Sequence, residues 1–254
     1  MKKVLSIAAS DPSGGAGIEA DLKVFAQLGG FGLTAITGLT VQGPKGIEKI
    51  IPTPKEEFRR ILEIHLTETK PDAVKIGALI DAEHIEAVKA FLFQVKIPAV
   101  LDPILLSSTG YELLEKSAWA SLEGLFPLVS LITPNLMEAE LLSGIKLQNE
   151  ENRIQALKRL EQKGAGAILL KGGHLRGEPE DWLWQEGKLK KFQHQRISGE
   201  IHGTGCALSS AVAVYLAEGL ALPEAVLRAE QYLEQALNSF LYFSGVKYLT
   251  HIFD

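Results

Sequence analysis

Val4-Leu5-Ser6-Ile7-Ala8-Ala9-Ser10-Asp11-Pro12-Ser13-Gly14-Gly15-Ala16-Gly17 passes from an uncharged apolar run into a glycine-rich turn. Beyond it, Ala16 to Leu28 shows apolar residues at helical spacing. A buried strand feeding a helix through glycines is the opening unit of an α/β fold. The same alternation continues along the chain. Leu33 to Val41, Ala73 to Ile76, Ala99 to Leu101, Ser130 to Ile132 and Ala167 to Leu170 are short apolar runs with little polar alternation, as expected of parallel strands covered on both faces. Lys55 to Thr67, Asp81 to Gln94, Leu136 to Leu142 and Asn149 to Gln162 carry helical periodicity between them. Trp182 to Trp184 and Lys188 to Phe192, split by Glu186-Gly187, predict an antiparallel hairpin at one edge, and helices over Thr204 to Glu218 and Pro223 to Leu241 are expected to close the chain. No repeat or linker-like tract interrupts this pattern, so residues 1–254 read as one domain.

The bulk properties narrow the function. With 254 residues and 46% hydrophobic residues the chain can build a large core, and a net charge of -5 without a basic block argues against nucleic acid as partner. A single cysteine fits a reducing compartment. Met1-Lys2-Lys3 and the apolar run after it imitate a secretory signal, but the run is short and meets Asp11-Pro12, so it reads as a strand. No stretch approaches a membrane span of about 20 apolar residues. A soluble cytoplasmic protein is the expectation.

Two glycine clusters mark where chemistry could occur. In the first, Gly15-x-Gly17-x-x-Ala20 satisfies the loose dinucleotide pattern. The following strand ends at Gln42 with no acid to hold a ribose, which argues against NAD. A Walker A loop is excluded by the missing Gly-Lys-Ser/Thr, and a turn without ligand stays open. The second, Gly203-Thr204-Gly205-Cys206, precedes a long helix, so outward N–H groups and the helix dipole would favour an anion such as a transferring phosphoryl group. Cys206 at that helix start is expected to have a lowered thiol pKa and to serve as base, or else to be a small packing residue. Asp102-Pro103 and Thr133-Pro134-Asn135-Leu136-x-Glu138 follow strands; the carboxylates could share Mg²⁺ through water, or Asn135 and Glu138 could form a capping box. Lys171-Gly172-Gly173-His174 offers a phosphate-pairing lysine and glycines that allow close approach, against a plain solvated lysine. His65, His84, His194 and His251 have no metal-ligand spacing, and no G-x-S-x-G elbow supports a serine hydrolase.

Taken together, Ser10 to Ile18 with Ala20-Asp21-Leu22-Lys23, Lys75-Ile76-Gly77, Asp102-Pro103, Thr133 to Ala139, Lys171 to His174 and His202 to Cys206 resemble the hydroxymethylpyrimidine and phosphomethylpyrimidine kinases of thiamin biosynthesis. These belong to the ribokinase-like superfamily, which also holds pyridoxal kinases. The resemblance runs nearly end to end and implies a three-layer α/β/α sandwich with a mainly parallel sheet, ATP with Mg²⁺, a small heterocyclic alcohol as substrate, and a homodimer. It assigns Gly203, Thr204, Gly205 and Cys206 to the anion hole, with Lys171, Asn135 and Gly173 on the nucleotide. Asp102 and Glu138 would stand on the metal side, while Asp21, Gln42, Gly17, Ala78 and Ile104 would line the pyrimidine pocket. Ala78 replaces a typical methionine, Ile104 to Ser108 replaces a stretch nearer Val-Met-Val-Ala-Lys, and Ile201 replaces a threonine. Two alternatives accompany this reading: a pyridoxine or pyridoxal kinase, and a non-catalytic protein of the same fold that binds pyrimidine or nucleotide.

Overall fold

Strand β1 (Lys3–Ser10) is buried on both sides, as its sequence predicts. In the computed structural model, which describes residues 1–172, 180–193 and 201–253, Leu5 and Ile7 point into one apolar layer and Val4 into the other. The rest of the chain follows as α1 (Gly17–Gln27), β2 (Phe31–Gly43), β3 (Gly46–Pro52), α2 (Lys55–Ile64), β4 (Ala73–Ile76), α3 (Ala82–Val95), β5 (Ala99–Leu101), α4 (Trp119–Glu123), β6 (Leu131–Ile132), α5 (Leu136–Ser143), α6 (Glu150–Gln162), β7 (Ala167–Leu170), β8 (Glu180–Gln185), β9 (Lys188–Gln193), β10 (Ile201–His202), α7 (Thr204–Ala217), α8 (Leu222–Leu237), β11 (Phe240–Phe243) and β12 (Val246–Leu249).

Nine strands form one sheet in the order β3-β2-β1-β4-β5-β6-β7-β8-β9. The six from β2 to β7 are parallel, and β3, β8 and β9 add antiparallel edges. Phe58, Ile85, Leu142 and Leu157 of α2, α3, α5 and α6 cover one face; Phe25, Leu208 and Val226 of α1, α7 and α8 cover the other. This is the expected α/β/α sandwich. No helix among the described residues is long and apolar enough to cross a membrane.

Three elements differ from the sequence reading. The segment Gly46-Ile-Glu-Lys-Ile-Ile-Pro52 is a strand, held by antiparallel pairing to β2 although its residues are mostly exposed. The helix from Lys55 gives way at His65 to a wider turn through Thr69, where His65 bonds to the Thr34 carbonyl (3.0 Å) and to Thr69 (2.8 Å). The last helix stops at Leu237, so Phe240 and Leu241 are not helical: they start β11, which with β12 and β10 makes a second, three-stranded sheet.

Candidate active site

Because β1 and β4 to β7 run parallel, their C-terminal ends open on one rim of the sheet, where open α/β folds take ligands. Asp11, Gly77, Asp102, Thr133 and Lys171 lie immediately beyond those ends. The first glycine turn is shaped by Asp11, whose carboxylate accepts from the Ser13 and Ala16 N–H groups, both at 2.9 Å. His202 Nε2 lies 3.0 Å from the same carboxylate, from the other glycine cluster. Burial pushes the Asp11 carboxyl up, but the hydrogen bonds from His202 and Ser13 outweigh it and hold it below its ordinary value.

The two turns touch. Gly203 has φ +87°, and a Cβ there would lie 1.7 Å from the Gly15 carbonyl oxygen. A Cβ on Gly15 would lie 2.2 Å from the His202 ring, so glycine is required on both sides of the contact. Tyr248 of β12 meets His202 edge-on with centroids 5.7 Å apart. The C-terminal hairpin that the sequence reading missed thus braces the junction.

Across from this junction, Lys171 Nζ pairs with Asp102 Oδ1 at 2.7 Å, and Thr133 Oγ1 donates to the same oxygen at 3.2 Å. A Cβ on Gly205 would sit 3.1 Å from Lys171 Nζ and 3.7 Å from Asp102 Oδ2, so the bare glycine keeps the start of α7 open toward this pair. Asn135 caps α5 in a full capping box with Glu138, and Asn135 bridges to Lys171 across the sheet. Burial raises the Glu138 carboxyl to about 7; Lys171 opposes the shift and Asp102 adds to it. The capping alternative is therefore realised, with Asp102 just beyond β5 and Glu138 in the first turn of the helix that follows the neighbouring strand β6. Among the described residues no three His, Cys, Asp or Glu side chains cluster as a ready-made metal cage. Asp102 and Glu138 are nevertheless donors of the kind that suits Mg²⁺, which keeps most of its water and takes one or two carboxylates.

Ala78 is buried with Ala9 and Ile80, and Ile104 packs against them, giving an apolar wall made of two predicted pocket residues. Gln42 lies near the tip of the β2–β3 hairpin, half-buried, its Oε1 accepting from Thr40. That tip meets the loop after β5: a Cβ on Gly46 would lie 2.8 Å from Thr109 Oγ1, and Ser107 Oγ takes the Tyr111 N–H at 3.0 Å. Gly17 has φ +57° and no room for a Cβ, which would lie 2.3 Å from the Ala9 carbonyl oxygen.

Two expectations need correction. Asp21 does not face a pocket: it is fully buried, and its oxygens are taken by Lys75, Ser6 and Ser210. Cys206 sits at the predicted helix start, but its thiol is not acidified. It is 7% exposed, and burial pushes it up to about 11; Lys75 and the Gly17 N–H pull the other way, and Asp21 and Asp102 add to the rise. Gly173, His174 and His194 lie outside the described residues. His84 and His251 are buried structural residues, bonded to Asp81 and Tyr232 at 2.9 Å each. Sequence reading gave no role to Asp11, His202, Ser209, Ser210 or Lys75; a charged residue inside the apolar run Ala73 to Ile76 was the available signal for the last.

A mainly parallel sandwich whose strand ends gather a lysine–aspartate pair beneath a glycine turn at a helix start defines a ribokinase-like small-molecule kinase. The chain belongs to the phosphomethylpyrimidine kinase family, whose model matches residues 11–249. It is 39% identical over 246 residues to the hydroxymethylpyrimidine/phosphomethylpyrimidine kinase of Haemophilus influenzae, covering 94% of this chain and 91% of that protein. It is 41% identical over 238 residues to the thiamine biosynthesis bifunctional protein ThiED of Geobacter sulfurreducens, covering 92% of this chain but only about half (49%) of that longer relative. Among solved structures, Staphylococcus aureus pyridoxal kinase in complex with AMP-PCP and pyridoxal superposes with a TM-score of 0.90 at 29% identity, over 99% of this chain and 94% of that one.

Proposed function

We propose that this protein moves the γ-phosphoryl group of ATP onto the hydroxymethyl oxygen of 4-amino-5-hydroxymethyl-2-methylpyrimidine, and then onto the resulting monophosphate, in thiamin biosynthesis. The observation that carries the reading is the contact between the two glycine turns, with the second opening at Gly205 onto the Lys171–Asp102 pair at the strand ends. The higher identity to named pyrimidine kinases than to the pyridoxal kinase supports the choice of heterocycle.

In this mechanism the N–H groups of Gly203, Thr204, Gly205 and Cys206 receive the peripheral oxygens of the transferring phosphoryl, with the dipole of α7 behind them. Lys171 turns from Asp102 to the phosphate, and Asn135 and Gly173 hold the nucleotide. Asp102 and Glu138 would hold Mg²⁺, which when bound offsets phosphate charge. Gln42 reads the pyrimidine edge against the wall of Ala78 and Ile104, with Gly17 below. Cys206 accepts the hydroxyl proton, and because it starts as a thiol, only its small thiolate fraction is competent. We further propose that residues 1–254 act as one catalytic unit, and that the single cysteine reflects a cytoplasmic home. A homodimer is expected, with the exposed Leu39 and Val41 of β2 and Ile51 of β3 available for its contact.

Turnover of the pyrimidine and of pyridoxal by the purified protein, side by side, tests the reading; a preference for pyridoxal overturns it. Product analysis from the monophosphate reports the second step, where Ser108 supplies no charge. If Cys206 is the base, turnover climbs about tenfold per pH unit between roughly pH 7 and 9 and collapses in Cys206→Ala. A flat profile assigns Cys206 to packing.

A further inference from the structure

Lys75 is a charged residue on a strand buried on both faces, and no part of it reaches solvent. Its Nζ lies 2.9 Å from both oxygens of Asp21 on α1. Ser210 Oγ of α7 donates to Asp21 Oδ1 at 2.7 Å, and Ser6 of β1 donates to Oδ2. Room for the ammonium comes from Gly77, where a Cβ would sit 3.0 Å from Nζ. One buried ion pair therefore joins β1, α1, β4 and α7, and Ser210 lies one turn beyond Cys206. Burial works against the charge on Lys75, yet Asp21, then Cys206 and Asp102, hold its amine above the ordinary value.

The packing of α7 explains why such a pair is useful. Among its buried residues, Ala207, Leu208, Ala211, Val212, Ala213 and Val214 are apolar. Contacts of that kind are individually non-directional, so directional bonds can add to the precision with which interdigitated side chains seat the helix. Ser209, bonded to the Gly205 and Cys206 carbonyls and 3.4 Å from Asp102, adds little more than a local bond. Ser210, through Asp21 and Lys75, ties the helix to the sheet by directional bonds.

We propose that Lys75 is a positioning residue for phosphoryl transfer: through Asp21 and Ser210 it fixes the first turn of α7, and with it the Gly203–Cys206 turn, against the sheet. The inference rests on the kinase reading above. It is tested with Lys75→Met/Asp21→Asn, which removes both charges at similar volume and leaves no lone buried charge. The double variant is expected to keep the urea midpoint of the parent and a pyrimidine KM within about threefold, while kcat falls about 100-fold, the effect of a misplacement near 1 Å. A folded double variant with kcat within about threefold of the parent makes the pair simple scaffolding and overturns the proposal. Should the double variant fail to fold, Ser210→Ala keeps the ion pair and cuts only its link to α7. There kcat falls about tenfold at constant pyrimidine KM, and unchanged kcat overturns the proposal. Absence of turnover by the parent protein on either heterocycle is a different result, and defeats the kinase reading itself.

Discussion

Replacing Gly203 by alanine perturbs the junction on which the active site depends. The backbone there has φ +87°, a conformation that costs a side chain about 1–2 kcal/mol. The added Cβ would lie 1.7 Å from the Gly15 carbonyl oxygen, so one turn must move by about 2 Å to restore ordinary contact. Where neighbouring packing resists, such insertions cost about 1–3 kcal/mol. If the turns stay together, Gly203→Ala loses about 2–5 kcal/mol of stability, the sum of both effects. If they part, the stability loss shrinks, but the N–H groups aimed at the phosphoryl are displaced and turnover falls about 10²–10³-fold. Urea unfolding and initial rates of ADP release, measured on the same preparation, read both branches. Gly205→Ala is the control. Its Cβ would crowd the flexible end of Lys171 at 3.1 Å and reach Asp102 Oδ2 at an ordinary 3.7 Å, so the midpoint should hold while KM for ATP rises about tenfold as the lysine is pushed aside. A Gly203→Ala protein with the parent's midpoint and turnover would refute the claim that contact between the turns builds the site.

Glu138→Gln separates capping from metal binding: glutamine can still accept the Asn135 N–H, so melting temperature stays within about 2 °C, while the Mg²⁺ concentration for half-maximal rate rises about tenfold. A lower melting temperature with unchanged Mg²⁺ dependence would leave Glu138 only its cap. His251 predicts a pH dependence of stability. Burial, with Lys23 nearby, lowers its folded pKa to about 4 from an ordinary 6.5, so the folded state favours neutral imidazole. That contribution is complete above about pH 6.5 and is lost as pH falls toward 4, up to about 3 kcal/mol. Urea midpoints between pH 7 and 4.5 should fall more steeply for the parent than for His251→Gln, and parallel curves would remove His251 from the account.

The parallel strands and their helices were legible because burial on two faces leaves unbroken apolar runs, as in Ala167 to Leu170. The capping box at Asn135 and the hairpin at Glu186-Gly187 were legible because each is a local geometry with its own residue signature. Strand β3 was not, because Gly46 to Pro52 is held by pairing with β2 and buries little of its own. Phe240-Leu241 carries no helix breaker, and only the pairing of β11 with β12 shows that the helix has ended. At the site the sequence located residues correctly on the rim but could not weigh burial. Cys206 has the helix start that lowers a thiol and the surroundings that raise it, and the surroundings win. Asp21 was placed in the pocket by resemblance, and its partners Ser6, Lys75 and Ser210 are too spread along the chain for the sequence to show its oxygens as taken.

The Asp11–His202 contact joins residues 191 positions apart. During synthesis the first turn leaves the ribosome long before its counterpart exists, and most of the sheet can pair before the catalytic rim is complete. Refolding should therefore show ellipticity returning ahead of kinase activity, with the lag set by closure of this long loop.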